Sequence, residues 1–359
     1  MKTRFVSLDV FRGIIILLML LVNNIAMDGA TPAHLKHAPW NQGVTLADLV
    51  FPWFLLCVGI AIPFAFRSAD KKGIRGFRLA SKVVSRSVML FIIGLLIESS
   101  IQRQPVFGLG VLQLIALAYL CGCALYRLPT LARWFACAAL LAAYGLLLQY
   151  ATVPGYSVPL FEENANIVKY INDAYLTSSG LRGLPSLVPT AALVALGSLL
   201  GDFISRTDRS QANKVLWIMS IGSNAALLGL LWIFERPFNK PVWTPAYILL
   251  SAGFGAAAIA FLTVIFDSPK RSKWSFPFVV FGANALLAYI GPILVKMLIL
   301  QVWTIGDGSA KQTLQDAWIA YFKDHYGRAK GGALYTASYI GVTWLALYIC
   351  YRRGIFLRV

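Results

Sequence analysis

The sequence predicts an all-α polytopic membrane protein, with about ten transmembrane helices in one bundle, both termini cytoplasmic, and residues 1–359 forming a single domain. Three observations predict it. Hydrophobic residues make up 58% of the chain and charged residues 13%, with a mean hydropathy of +0.69, which is too apolar for a soluble domain of 359 residues. Apolar runs of about 20 residues, some shorter, start near Val10, Leu46, Val83, Leu109, Ala132, Leu187, Val215, Ala246, Phe276 and Leu334. The basic residues fall between these runs, about 21 on the connections assigned to the cytosol and about 11 on the opposite side. The same spread explains the net charge of +17 as a topology signal and excludes a nucleic-acid-binding patch.

Taken in order, the chain opens with the basic residues Lys2 and Arg4 and a first span that begins at Ser7-Leu8-Asp9-Val10-Phe11-Arg12-Gly13. Asp9 and Arg12 interrupt its start and no small-residue cleavage site follows, so it reads as a retained span rather than a secretory signal. A short loop with His34, His37, Trp40 and Asn41 leads to the second span, which carries Pro52 and Pro63. These prolines are expected to kink it and free carbonyls near the site. The loop from Arg67 to Lys82 faces the cytosol, and its four central cations fit either positive-inside bias or phosphate binding. The longest outer connections, 152–186 and 301–332, exceed what a helix-to-helix joint needs and can cover a cleft. Glu162, Glu163 and Asp173 in the first of them fit a cationic substrate or plain solvated acids. Asn224 and Asn284 sit among small residues and read as helix-packing positions, and Lys296 can snorkel outward from the ninth span. Residues 267–271 read as a turn. The five cysteines lie inside apolar runs without a C-x-x-C, which argues against disulfides and against a metal site. No intramembrane carboxylate pair marks a proton or sodium relay.

The residues able to carry chemistry cluster between Ser7 and Gly59. Arg12 and Asn23 are eleven residues apart on the first span, which returns to within about 20° of one face and rises about 16 Å. One wall therefore carries a cation that can pair with phosphate and a buried amide that can polarise a carbonyl. The alternative is an Arg12–Asp9 pair and an Asn23 bonded to a neighbouring helix. His37 is a candidate general base, since an unperturbed imidazole titrates near neutrality. Asp48 stands three residues after Thr45 and either caps the second span or orients His37; both can hold. Trp40 offers a face on which a sugar can stack or belongs to an interfacial aromatic belt, and with Asn41 it is the substrate-binding candidate.

The blocks L-D-V-F-R-G, V-N in the first span, K-H-A-P-W-N, T-L-A-D-L-V-F-P-W-F, the segment Phe238–Pro245, Phe281–Ala285 and the ending Tyr351–Leu357 resemble, in this order, the heparan-α-glucosaminide N-acetyltransferase family. The opening L-D-x-x-R-G is similar, more distantly, to a broader superfamily of transmembrane acyltransferases. The resemblance implies an enzyme that takes acetyl-CoA as co-substrate from the cytosol and acetylates an amino sugar or glycan on the other side of a lipid bilayer. By motif it makes His37 the catalytic histidine and Asn23 its partner, and no metal is implied; the residues themselves add Asp48 as the carboxylate that steadies His37 and Arg12 at the donor end. It further implies a homodimer, and a bacterial inner membrane for this short form. The stretch between Asn23 and His37 is a little longer than in the lysosomal members, and their large lumenal domain has no counterpart in this sequence. An amino-sugar transporter and an O-acyltransferase acting on a surface glycan are the competing readings.

Overall fold

The computed structural model describes residues 5–206, 210–267, 272–307 and 311–357, and among them the protein is an all-α membrane protein. Lys2, Arg4 and the turn residues 268–271 lie outside them. Thirteen α-helices follow one another in the described residues: α1 Val6–Asn24, α2 Leu46–Lys71, α3 Gly76–Gln102, α4 Val111–Tyr126, α5 Thr130–Tyr150, α6 Ile167–Ile171, α7 Leu187–Ile204, α8 Gln211–Trp232, α9 Pro245–Phe266, α10 Phe276–Ala283, α11 Ala285–Val295, α12 Leu314–Tyr326 and α13 Arg328–Arg352. A two-residue antiparallel pair, Thr304–Ile305 with Gln312–Thr313, precedes α12. Helices dominate because, in hydrocarbon, each backbone polar group must find its partner inside its own segment.

Eight of these helices are long and apolar enough to cross a bilayer, and α10 with α11 makes nine if the bent pair is one crossing. That pair bends by 63° at Asn284. At 16 residues α4 is a shorter apolar helix. All ten expected starts fall on these helices or within two residues of one; length and composition give a full crossing to eight or nine.

Small residues set how closely the inner helices approach. A Cβ on Gly59 of α2 would lie 2.1 Å from the Val194 carbonyl oxygen of α7, and one on Gly201 would lie 2.4 Å from the Ile60 oxygen. Gly13 of α1 and Gly282 of α10 meet in the same way, against Phe278 and Asp9 backbone. These contacts seat α2 on α7 and α1 on α10; α2, α7 and α9 are the most buried spans, while α8 shows Leu216, Trp217, Leu227 and Leu228 outward as a lipid-facing rim. Gly222 of α8 packs on α9 as expected for its segment, but Asn224 faces out and donates to the Ser220 carbonyl of its own helix at 2.8 Å.

Asn284 departs from the packing role that its small neighbours predict. Its Nδ2 donates to the Ile355 carbonyl at 3.0 Å and its Oδ1 accepts from the Leu357 N–H at 3.0 Å, so it ties the tail after α13 to the break between α10 and α11. The start of α1 and this tail therefore share one end of the bundle, called here the terminal end. Lys296, expected to reach outward, donates instead to Asn24 Oδ1 at 3.2 Å.

Candidate functional site

A cavity of about 640 Å3 runs inside the bundle between α1, α2, α3, α4 and the α10–α11 break. That volume lies within the range of small-molecule sites, roughly 300–1,000 Å3. Arg12 and Arg86 line it toward the terminal end, where Leu357 of the tail also faces it. Asn23, His37 and Lys240 line the opposite end, and Phe54, Cys57, Val58, Ala61 and Ile115 wall the middle. Arg12 and Asn23 thus face one space from one helix, as their spacing predicts, but Asn23, expected as a buried amide, is exposed, and Arg12 also pairs with Asp9 at 3.5 Å.

The hydrogen-bonded titratable groups gather at the His37 end. His37 Nδ1 is 2.8 Å from Asp48 Oδ1, with the imidazole 56% exposed and the carboxylate 3%. Asp48 Oδ2 accepts from the Ala38 N–H, the Thr45 N–H and the Thr45 hydroxyl at 3.0–3.1 Å. One carboxylate therefore both reaches back to the helix N-cap and orients the histidine, so the two roles foreseen for it coexist. A carboxylate can only accept, which assigns the proton to Nδ1 and leaves Nε2 as the ring's acceptor.

Helix α2 holds Asp48 in place through its own irregularity. Pro52 lies inside the helix without ending it and offers no N–H to the carbonyl four residues back, that of Asp48. The Tyr247 hydroxyl of α9 donates to that carbonyl instead. The freed carbonyl foreseen from the proline is thus satisfied by a neighbouring helix.

Lys240 enters from the connection between α8 and α9. Its Nζ lies 3.0 Å from His37 Nδ1, 3.4 Å from Nε2 and 3.5 Å from Asp48 Oδ1. Burial pulls the ammonium below the ordinary lysine range, and the Asp48 charge opposes this. The connection is stiff: Asn239 Oδ1 accepts from the Val242 N–H, its own N–H bonds Thr244 Oγ1, and Trp243 packs between Phe51 and Tyr247. Asn239 Nδ2 also donates to Asn41 Oδ1 at 2.9 Å, fastening this connection to the His37 loop.

Trp40 and Asn41 do not line the cavity. The Trp40 indole N–H donates to the Phe161 carbonyl at 3.3 Å and its ring packs on Phe161 at 5.6 Å, which ties the His37 loop to the 152–186 connection. The other long connection reaches the same loop through Lys323, which pairs with Asp28 at 2.8 Å. Asp173 pairs with Lys169 at 2.9 Å. His34 lies exposed beside His37 and makes no hydrogen bond to Asp48.

Sequence reasoning did not single out Lys240, Arg86, Tyr119 or Tyr247. Arg86 was detectable in principle as a charge inside an apolar run, a costly placement that marks function; its guanidinium stands over the Tyr119 ring at 5.0 Å. Lys240 falls in the segment Phe238–Pro245 that carries the resemblance, but nothing in the sequence joins it to His37, 203 residues away. Among the described residues no group of three or more His, Cys, Asp or Glu is placed to hold a metal ion.

The family model described as "Heparan-alpha-glucosaminide N-acetyltransferase, catalytic" matches residues 4–234. The chain is similar to heparan-alpha-glucosaminide N-acetyltransferase of Homo sapiens, 25% identical over 422 residues that cover 99% of this chain and 60% of the relative. It is also similar to the Mus musculus protein of the same name, 24% identical over 369 residues, covering 85% of this chain and 55% of the relative. The chain therefore spans 55–60% of the length of these curated relatives.

Proposed function

The chain belongs to the heparan-alpha-glucosaminide N-acetyltransferase family, and on that premise we propose that it is a multi-pass membrane acetyltransferase. In this reading it moves an acetyl group from cytosolic acetyl-CoA to the amine of a glucosamine-containing sugar on the other side of a bacterial inner membrane. The observation that carries the reading is the cavity, which joins a cationic end at Arg12 and Arg86 to a histidine–carboxylate pair at His37 and Asp48. A donor with a phosphorylated head and a long thin arm suits such a space, and so does an acceptor that has to lose a proton. The chain acts as one domain of ten spans, with both termini on the donor side, and pairs as a homodimer.

Arg12, with Arg86 facing it across the cavity, holds the phosphates of the donor, and the apolar middle takes the pantetheine arm. The thioester carbonyl lies beside Asn23, whose amide N–H stabilises the oxyanion as the amine attacks. His37 Nε2 takes the amine proton while Asp48 steadies the ring through Nδ1. The tetrahedral intermediate then collapses, the C–S bond breaks, and the leaving CoA thiolate takes the proton back from the imidazolium. The products are the N-acetyl sugar and CoA. A single base suffices for direct transfer within a ternary complex, so no acetyl-enzyme is required. Trp40 and Asn41 serve the acceptor by fixing the loop that presents His37.

The test is transfer of labelled acetyl from acetyl-CoA to glucosamine by the purified protein in detergent. Loss of transfer in His37→Ala supports the reading. Sugar uptake into proteoliposomes without acetyl-CoA, and no transfer by the native chain, would sink it in favour of a carrier. Preference for a hydroxyl sugar in competition would move the acceptor class to O-acylation.

A further inference from the structure

Lys240 is the charged group at the cavity to which the mechanism above gives no task. It arrives on a stiff connection, and two bonds secure its surroundings to the His37 loop and to the start of α9. Its ammonium lies within 3.5 Å of both ring nitrogens and of Asp48 Oδ1. Nδ1 already donates to Asp48, so the ammonium cannot donate to it. The cation therefore shares the Asp48 carboxylate and stands against the ring edge.

We propose that Lys240 is a positioning residue for His37, whose charge holds the imidazole in its proton-accepting form with Nε2 as the accepting nitrogen. Among the described residues the charged groups placed within 3.5 Å of this ring are Asp48 from α2 and Lys240 from the α8–α9 connection. They act in opposite directions. A buried carboxylate at 2.8 Å favours an imidazolium, and an imidazolium cannot take the proton of an attacking amine. A lysine cation at 3.0–3.4 Å disfavours a second positive charge on the ring and draws off part of the carboxylate's field. The balance leaves Asp48 free to orient the ring without trapping a proton on it, and it speeds return of the proton to the departing thiolate. Depressed basicity of the lysine itself agrees with such a crowded, partly dry setting.

This inference rests on the transferase reading only for its activity arm, so the primary readout is chemical. Diethyl pyrocarbonate reacts with neutral imidazole, and the extent of His37 modification against pH can be followed by mass spectrometry in detergent. Lys240→Met should move the midpoint of that profile upward. Asp48→Asn should move it downward, and Lys240→Arg should leave it near the native position. In the transfer assay, the acidic limb of kcat/KM should follow the same order while the KM for acetyl-CoA stays unchanged. Coincident modification profiles for Lys240→Met and the native protein, with activity lowered evenly at every pH, would make Lys240 a merely structural residue and overturn the proposal. Lys240→Gln, which keeps a donor without the charge, replaces the Met variant if that one fails to fold. A native protein without transferase activity would refute the transferase reading while the modification midpoints still decide this one.

Discussion

At the scale of single residues, Asp48 has the most partners in the site and makes the sharpest prediction. It accepts from His37, Ala38 and Thr45 and is almost fully buried. Asp48→Asn retains the shape but turns one acceptor into a donor, so kcat should fall by at least about 10²-fold while the protein stays folded. Asp48→Ala should in addition leave the Ala38 and Thr45 N–H groups without their acceptor, a loss of roughly 1–3 kcal/mol each, visible as a lower melting temperature. Lys240 gives a pH-dependent counterpart. Its folded-state pKa is depressed below the unfolded one, so between the two the unfolded chain binds more protons and stability rises with pH. That contribution is present above the ordinary lysine range and is lost as pH falls through the depressed value. Melting curves should therefore shift in favour of the native protein over Lys240→Met as pH is raised toward 10; a constant difference would show that burial does not perturb this group. Spacing along one helix and a capping pattern made Arg12, Asn23 and Asp48 legible in the sequence, because those relations are local. Lys240 and Tyr247 were not, since only the tertiary fold carries them to the same carboxylate.

At the scale of elements, two devices position the site, and they differ in how readable they were. Helix α2, which carries Asp48 and much of the cavity wall, lies on α7 where Gly197 and Gly201 leave room for its backbone. A Cβ on Gly197 would stand 2.5 Å from the Leu56 carbonyl oxygen, so Gly197→Val must push α2 away. Overpacking of this kind costs about 1–3 kcal/mol, and it should lower both the melting temperature and the transfer rate. Equal melting temperatures for variant and native protein would count against so close a crossing. The second device is the break at Asn284. The apolar run from Phe276 looked like one span, because small residues around an asparagine read equally well as packing and as a bend. What decides between them is the distant tail, whose Ile355 and Leu357 backbone occupies the amide. Asn284→Ala should release that tail, raise the KM for acetyl-CoA several-fold through the loss of Leu357 from the cavity wall, and make the tail more sensitive to carboxypeptidase.

At the scale of the whole molecule, the positions of the apolar runs were legible throughout, because the 20-residue requirement of a bilayer is imposed by the solvent rather than by the fold. The interior was less so: which helices sit on one another follows from the glycine contacts of α1, α2, α7 and α10, and these pair residues far apart in sequence. That arrangement places Arg12 and the tail at one end of a continuous cavity and His37 at the other. Donor and acceptor should therefore be separable by a membrane. In sealed vesicles of one orientation, acetyl-CoA supplied on the side of the termini, with glucosamine on the opposite side, should give N-acetylglucosamine only in the acceptor compartment. The reverse arrangement should give none. A cysteine introduced at Ala38, next to His37, should react with a membrane-impermeant maleimide only from the acceptor side. Ala61 lines the cavity between the two ends, so Ala61→Trp should block transfer while leaving that labelling intact. If acetyl-CoA instead supports transfer from the His37 side, or the introduced cysteine labels from the side of the termini, the cavity is not the route that joins the two substrates.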